Sequence, residues 1–251
     1  MLATLLEGIA WRLEKDVVDK GQIGRAVGDK FLARLFKEFG ISVVVDIGAN
    51  EGQYARRLRE KAGYQGSIFS YEPIPEVYQR LLRIATEDDQ WTIFPFAVDA
   101  KKGKGIFNVM VGSEFSSFLD PTKEYKGAFD GQHVVAEKVE VDIISLEDVV
   151  HKVMGSGKDC RALLKLDTQG TELRILEGGG SIARQFAAIQ VEVSFEPIYD
   201  GSATFTDVFS WMKTNGFALA SLFANNEGHF PRLLEMDAVF ARMDLVEKFV
   251  L

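Results

Sequence analysis

Ile41-Ser-Val-Val-Val-Asp46, followed by the glycine turn Gly48-Ala-Asn-Glu-Gly52 and the polar stretch Gln53–Lys61, is the segment on which the fold turns. A β-branched run without polar alternation predicts a strand buried on both faces of a sheet. The turn leads into a helix. The alternation repeats with strand Ser67-Ile-Phe-Ser-Tyr-Glu72, Pro75 at a helix first turn, helix Glu76–Ala85 and a third strand Trp91-Thr-Ile-Phe-Pro-Phe-Ala-Val98. Strand, helix, strand with short connections implies parallel pairing through right-handed crossovers, and therefore a doubly wound α/β sheet. The rhythm resumes with strand Ala162–Asp167, helix Thr171–Glu177, strand Ala188–Val193 and helix Phe205–Thr214. Strands Phe217–Leu222 and Ala238–Ala241 are joined by a loop without helical pattern and read as an antiparallel hairpin at the sheet edge.

Residues 1–40 carry helical spacing, with Leu2, Leu5, Leu6 and Ile9, then Phe31, Leu32, Leu35, Phe36 and Phe39. Gly21 and Gly24 divide them into two helices that cap the sheet, over the pocket or as a contact between two copies. From Gly103 to Asp159 the pattern breaks into period-two stretches, Gly105–Val111 and His133–Asp142, predicting an antiparallel insertion. Within it, Ser145-Leu-Glu-Asp148 opens a short helix with a capping-box-like start. The chain thus reads as one domain over 1–251, with a cap at 1–40, a core at 41–102 and 160–251, and an insertion at 103–159.

With 47% hydrophobic and 26% charged residues in 251, this is the composition of an ordinary soluble globular protein. No apolar run approaches the roughly 20 residues that a bilayer span needs. A net charge of −8 sets the mean field against phosphate backbones, so nucleic acid is not an expected partner. The single cysteine, Cys160, excludes an internal disulfide and a cysteine zinc cluster, and reads as a buried small hydrophobe. Glu7 stands where a signal peptide would have its apolar core, so a cytoplasmic protein is expected.

Ligands of open parallel sheets bind outside the carboxyl ends of the strands, near the switch in strand order. Asp46 ends the first strand there, with Gly48, Asn50 and Gly52 in the following turn. The spacing is G-x-x-x-G, not the G-x-G-x-x-G that seats a pyrophosphate on a helix N-terminus. Glu72 closes the second strand, where an acid can accept the hydroxyl protons of a ribose. A carboxylate at Asp46 repels a pyrophosphate and tolerates a cationic or zwitterionic ligand, so S-adenosylmethionine suits this arrangement better than NAD. The alternative is a turn-capping Asp46 and a solvated Glu72.

Three stretches, Val45-Asp-Ile-Gly-Ala-Asn-Glu-Gly52, Tyr71-Glu-Pro73 and Leu164-Lys-Leu-Asp-Thr-Gln-Gly-Thr-Glu172 running on into Ile175-Leu-Glu-Gly178, resemble the FkbM-type S-adenosylmethionine-dependent methyltransferases. Asp142 through Asp148 resembles the segment that leads into the third. The likeness spans about Val43 to Arg242. It implies a class I methyltransferase fold, S-adenosylmethionine as donor, and O-methylation of a hydroxyl on a sugar, glycan or natural-product small molecule. It also implies Asp46, Gly48, Asn50 and Gly52 around the methionine tail, Glu72 on the ribose, and Ser116-Ser117 as a serine-containing segment near the donor. Gln169 stands where many members have Glu.

An aliphatic hydroxyl has a pKa near that of water, about 15.7, so a base or a metal must take its proton as it attacks. Asp167 ends the fourth strand and Glu192 lies near the end of the fifth, which brings both carboxylates to one rim. They could serve as base and orienter, or bind a hard divalent cation together, although no metal is expected from the sequence. Structural alternatives are a helix cap near Gly170 for Asp167, and a partner such as Lys165 or an arginine for Glu192. Lys165 could itself lie within the sheet, paired with a carboxylate. His133 in the insertion could be a near-neutral base or a turn histidine; His229 stands similarly, and His151 reads as inert. Phe115, Phe118, Tyr125 and Phe129 could form a lid or a sugar-stacking platform, or simply the insertion's core. Glu196 is a weaker acidic candidate. A nucleotide-dependent oxidoreductase or epimerase is the rival enzyme, but the chain lacks a dinucleotide fingerprint and a Tyr-x-x-x-Lys pair. A non-catalytic donor-binding module on the same fold is the other rival. A DNA amino-methyltransferase is disfavoured because the fourth strand ends in Asp167-Thr-Gln.

Overall fold

The computed structural model describes residues 23–125, 129–154, 161–223 and 232–249. In chain order these form α1 (Ile23–Phe39), β1 (Val43–Ile47), α2 (Gln53–Glu60), β2 (Ser67–Tyr71), α3 (Pro75–Ala85), β3 (Trp91–Phe94), β4 (Ala97–Val98) and β5 (Gly103–Met110). There follow β6 (Val135–Ile144), α4 (Leu146–Met154), β7 (Ala162–Leu166), α5 (Glu172–Gly179), β8 (Ala188–Ser194), α6 (Phe205–Thr214), β9 (Phe217–Phe223) and β10 (Glu235–Arg242). The main sheet has the order β3-β2-β1-β7-β8-β10-β9. All its pairings are parallel except those of β10, which runs antiparallel between β8 and β9. The expected doubly wound sheet with an antiparallel edge hairpin is therefore present.

Its strands lack polar alternation because both faces are covered. Val43, Val45 and Ile47 pack against α4, α5 and α6 through Leu146, Ile175, Leu176 and Met212. Val44 faces the opposite core, where α1, α2 and α3 contribute Leu32, Phe36, Leu58 and Leu81. At roughly 1.5–3 kcal/mol per fully buried large apolar side chain, two such layers hold the carboxyl ends of the strands rigidly. Capping boxes start two of the helices: the Asp148 N–H donates to Ser145 Oγ (3.2 Å) and the Ser145 N–H to Asp148 Oδ2 (3.0 Å), and Thr204 and Asp207 repeat the device at α6.

Three features differ from the sequence reading. The third strand is two strands, because Pro95 has no N–H for the ladder; β3 stops at Phe94, and Ala97–Val98 joins a second sheet of order β4-β6-β5. Within that small sheet β5 and β6 pair antiparallel as expected, but β4 and β6 pair parallel. Gly24 does not break a helix but lies inside α1, and a Cβ placed on Gly28 of that helix would fall 3.1 Å from the Phe223 ring, tighter than most side-chain contacts. The first of the two expected N-terminal helices, Cys160 and His229 lie outside the described residues. No helix among the described residues is long and apolar enough to cross a membrane.

Candidate active site

The strand order reverses on either side of β1 and β7, and a cavity of about 500 Å³ opens at their carboxyl ends. That volume lies in the usual range for a small-molecule site. The β1 turn supplies Gly48, Ala49 and Asn50 to its wall, the end of β2 Tyr71 and Glu72, the loop after β7 Asp167, Thr168 and Gln169, and α1 Arg25 at the rim.

The glycines of the turn act in different ways. Gly48 has φ +81°, and a Cβ there would fall 1.8 Å from the Asp167 carbonyl oxygen, so only glycine lets the turn lie against the end of β7. Gly52 has φ +76°, and its Cβ would meet the Trp91 and Leu81 side chains at 2.5 and 2.6 Å. It packs the turn from behind and does not line the cavity. Asn50, at φ 44°, donates its N–H to Glu72 Oε2 (2.9 Å) and accepts from Ser113 Oγ (3.0 Å). Glu72 also accepts the Ile74 N–H at Oε1 (2.8 Å). It is 4% exposed, and burial pushes its pKa up to about 7 against these two hydrogen bonds. Beside it Tyr71 lines the cavity, and its buried hydroxyl has no hydrogen-bond partner among the described residues. Ser116 lines the cavity and accepts the Met110 N–H, whereas Ser117 lies deeper and donates to the Gln169 carbonyl (2.7 Å).

Asp46 is fully buried and does not line the cavity. Strand register sets it in a row across one face of the sheet, with Gln190 opposite Lys165, Lys165 opposite Asp46, and Asp46 opposite Ser70. Ser70 Oγ donates to Asp46 Oδ2 (3.0 Å), the Trp91 indole N–H donates to Ser70 Oγ (2.9 Å), and Lys165 Nζ lies 3.4 Å from Asp46 Oδ1. Burial raises the Asp46 pKa, with Lys165 opposing that rise. Lys165 Nζ also reaches Asp167 Oδ2 at 3.1 Å. Burial would lower the lysine's pKa, but Asp167 and Asp46 outweigh it and hold the side chain charged. Asp46 therefore approaches the cavity only through Lys165.

Asp167 and Glu192 do meet at one rim. Gln169 Nε2 donates to Asp167 Oδ1 (2.9 Å) and Glu192 Oε2 (2.6 Å), and the two carboxyl groups share a hydrogen bond. Burial works against ionised Asp167, yet Lys165 and the Gln169 amide hold its pKa below the usual range. Burial and the charges of Asp167, Glu235, Asp237 and Glu172 push Glu192 well above it. Asp167 does not cap the next helix. Glu172 folds back instead, accepting the N–H groups of Thr168 (2.6 Å) and Gly170 (3.0 Å) and bracing the loop that carries Asp167 and Gln169.

His133 is not at the cavity wall. It is fully buried, edge-on to Phe115, Phe129 and Tyr199, with Nε2 2.9 Å from the Tyr199 hydroxyl and Nδ1 3.3 Å from the Tyr125 carbonyl oxygen. Burial lowers its pKa and keeps it neutral. Phe115 and Phe118 line the cavity, while Tyr125 and Phe129 pack around this histidine. Glu196 is held by Arg232 and the Tyr125 hydroxyl, and His151 is solvent-exposed.

Sequence reasoning missed Tyr199, Gln190, Tyr54, Glu235 and Asp237. Tyr54 donates to Gln190 Oε1 (2.7 Å), and Gln190 hydrogen-bonds Asp237. Burial pushes Asp237 to about 6 and Glu235 to about 8. The alternation of β10 signalled which of its residues share a face, but only the pairing of Asp237 with Glu192 places them at this rim. No group of three or more His, Cys, Asp or Glu side chains among the described residues is arranged to hold a metal ion.

Comparison with known proteins follows the same lines. The Methyltransferase FkbM domain matches residues 46–219. The 2-O-methyltransferase NoeI of Sinorhizobium fredii (strain NBRC 101917 / NGR234) is 25% identical over 217 residues, which cover 81% of this chain and 80% of that protein. Among solved structures, the methyltransferase FkbM from Methylobacillus flagellatus KT aligns with a TM-score of 0.49 and 17% identity over 80% of this chain. That alignment spans only 43% of the longer protein. Magnesium protoporphyrin IX methyltransferase (ChlM) from Synechocystis PCC 6803 with bound SAM aligns with a TM-score of 0.43 and 10% identity, over 91% of this chain and 86% of that one.

Proposed function

The chain belongs to the FkbM methyltransferase family and is an S-adenosylmethionine-dependent methyltransferase, and from that premise we propose that it methylates a hydroxyl of a sugar, a glycan or a natural-product small molecule. The donor supplies a methyl group on a positively charged sulfur. On this reading Glu72 accepts the ribose hydroxyls, and Gly48, Asn50 and Ser116 hold the amino-acid end. The unpartnered Tyr71 hydroxyl, and a turn whose Gly48 leaves no room for a side chain, fit a cavity shaped for such a ligand. Asp46, Gly52 and Ser117 act from behind that wall: Asp46 anchors Lys165, Gly52 seats the turn on Trp91, and Ser117 ties the insertion to the Gln169 backbone.

Asp167 is the general base, accepting the proton of the acceptor hydroxyl as it attacks, and Glu192 orients it. The observation that carries this is a carboxyl group at the cavity wall, 3.1 Å from the buried Lys165 ammonium, which favours its ionised form. The name of the NoeI relative supports oxygen as the methylated atom. The test is Asp167→Asn, assayed for donor affinity by calorimetry and for turnover against a panel of sugars and hydroxylated scaffolds. Loss of a base should lower turnover by about 10²–10⁴ while donor affinity stays within about threefold. Unchanged turnover removes Asp167 from the mechanism, and methylation confined to nitrogen acceptors overturns the hydroxyl reading.

A further inference from the structure

We propose that Gln169 is the positioning residue of this site: its side-chain amide clamps Asp167 and Glu192 into a pair that shares one proton, leaving Asp167 the open carboxylate. The inference rests on the reading of Asp167 as base. Its geometry is over-determined. Nε2 donates to Asp167 (2.9 Å) and Glu192 (2.6 Å), while Oε1 accepts from the Tyr199 hydroxyl (2.8 Å). Turning the amide over would set its oxygen against both carboxyl groups and remove the two donated hydrogen bonds, so the carboxyl pair fixes its orientation. Behind it, the Tyr199 oxygen lies 2.9 Å from His133 Nε2, with the Phe115 carbonyl as a second acceptor at 2.8 Å. A line of hydrogen bonds thus runs from the buried imidazole through Tyr199 to the amide and the two carboxyl groups. Gln169 itself is held at φ 56° with its side chain buried, by Ser117 on its carbonyl and by the loop that Glu172 braces.

The charged and titratable groups facing the pair are Lys165 from β7, Asp46 from β1, Glu172 from α5, and Glu235 and Asp237 from β10. Four further carboxyl groups and one lysine would otherwise leave the protonation of Asp167 and Glu192 to mutual repulsion. A neutral amide donates to both without adding charge. A glutamate in its place could donate only when protonated, and then to one partner only. Gln169 therefore gives this chain a carboxyl pair with one proton, where a glutamate would make a group of three.

The test follows the carboxyl C=O band that Glu192→Gln removes, by difference infrared spectroscopy of the full chain across a pH titration. It compares wild type with Gln169→Met, Gln169→Glu and Tyr199→Phe, and records S-adenosylhomocysteine affinity and near-ultraviolet circular dichroism on the same samples. Wild type should keep the Glu192 band at neutral pH. Loss of the donated hydrogen bonds in Gln169→Met should move its midpoint up by about one to two pH units. Gln169→Glu should shift it at least as far and add a second band, and Tyr199→Phe should shift it less in the same direction. The proposal is overturned if the band is absent from wild type at neutral pH, or if midpoints stay within about 0.3 unit in variants with native dichroism. Should Gln169→Glu not fold, Gln169→Met decides the matter alone. Failure of wild type to bind S-adenosylhomocysteine would overturn the donor reading and leave the infrared result to decide the clamp.

Discussion

Replacing Glu72 with Gln interrogates the donor side of the cavity most directly. With a pKa of about 7, the carboxylate is about one-tenth ionised at pH 6 and about nine-tenths at pH 8. An ionised acceptor takes hydroxyl protons more strongly than a neutral one, so wild-type affinity for S-adenosylhomocysteine should rise up to about tenfold over that interval. Two hydrogen bonds to a charged acceptor contribute about 1.5–3 kcal/mol each. Gln retains part of this, so the variant should bind about 100-fold more weakly at pH 8 and only about tenfold more weakly at pH 6. Stability moves the other way. The native pKa lies above the ordinary glutamate value of 4.5, so the folded form holds its proton longer than the unfolded one. That contribution is fully present below about pH 4.5 and is lost as pH rises through about 7. Glu72→Gln lacks this slope, although its amide N–H faces one of the two backbone donors at Asn50 and Ile74, which costs about 1–3 kcal/mol. Calorimetry at pH 6, 7 and 8, with urea unfolding at the same values, measures both effects. A flat wild-type affinity, or a variant that keeps the wild-type slope, would refute the reasoning.

Gly48→Ala forces a Cβ to 1.8 Å from the Asp167 carbonyl at positive φ, and should cost about 3 kcal/mol or more. Gly63→Ala, also at positive φ but with nothing within 4 Å, should cost only about 1–2 kcal/mol; equal losses in urea would show that the close approach is unimportant. Lys165→Met strands buried Asp46 without its cation and should destabilise by about 3–5 kcal/mol near neutral pH. Because burial raises the Asp46 pKa, part of that loss should return at acid pH as the carboxyl takes a proton, and a pH-independent loss would count against the ion pair.

The doubly wound sheet was legible because it is written in short-range patterns. Val43 to Val45 must be apolar whichever face they meet, Gly48 must allow positive φ, and the capping pairs Ser145/Asp148 and Thr204/Asp207 lie three residues apart. The second sheet was less so. Trp91–Val98 read as one strand through Pro95, and nothing local says that Ala97–Val98 crosses over to pair with Ile143–Ile144.

The site divides in the same way. The sequence by itself determined that acids stand at the carboxyl ends of successive strands, since Asp46, Glu72, Asp167 and Glu192 follow from strand boundaries alone. Only the tertiary structure decided which of them reach the cavity, because that depends on strand register and on the side to which each pleat turns. Register sets Asp46 against Lys165 and Ser70, beneath the wall. His133 carried the chemistry of a base in its side chain, but the insertion folds it into an aromatic cluster behind Tyr199. Gln169, unremarkable as a residue type, bridges two carboxyl groups that lie on different strands. Such a bond joins residues distant along the chain, and no local pattern records it.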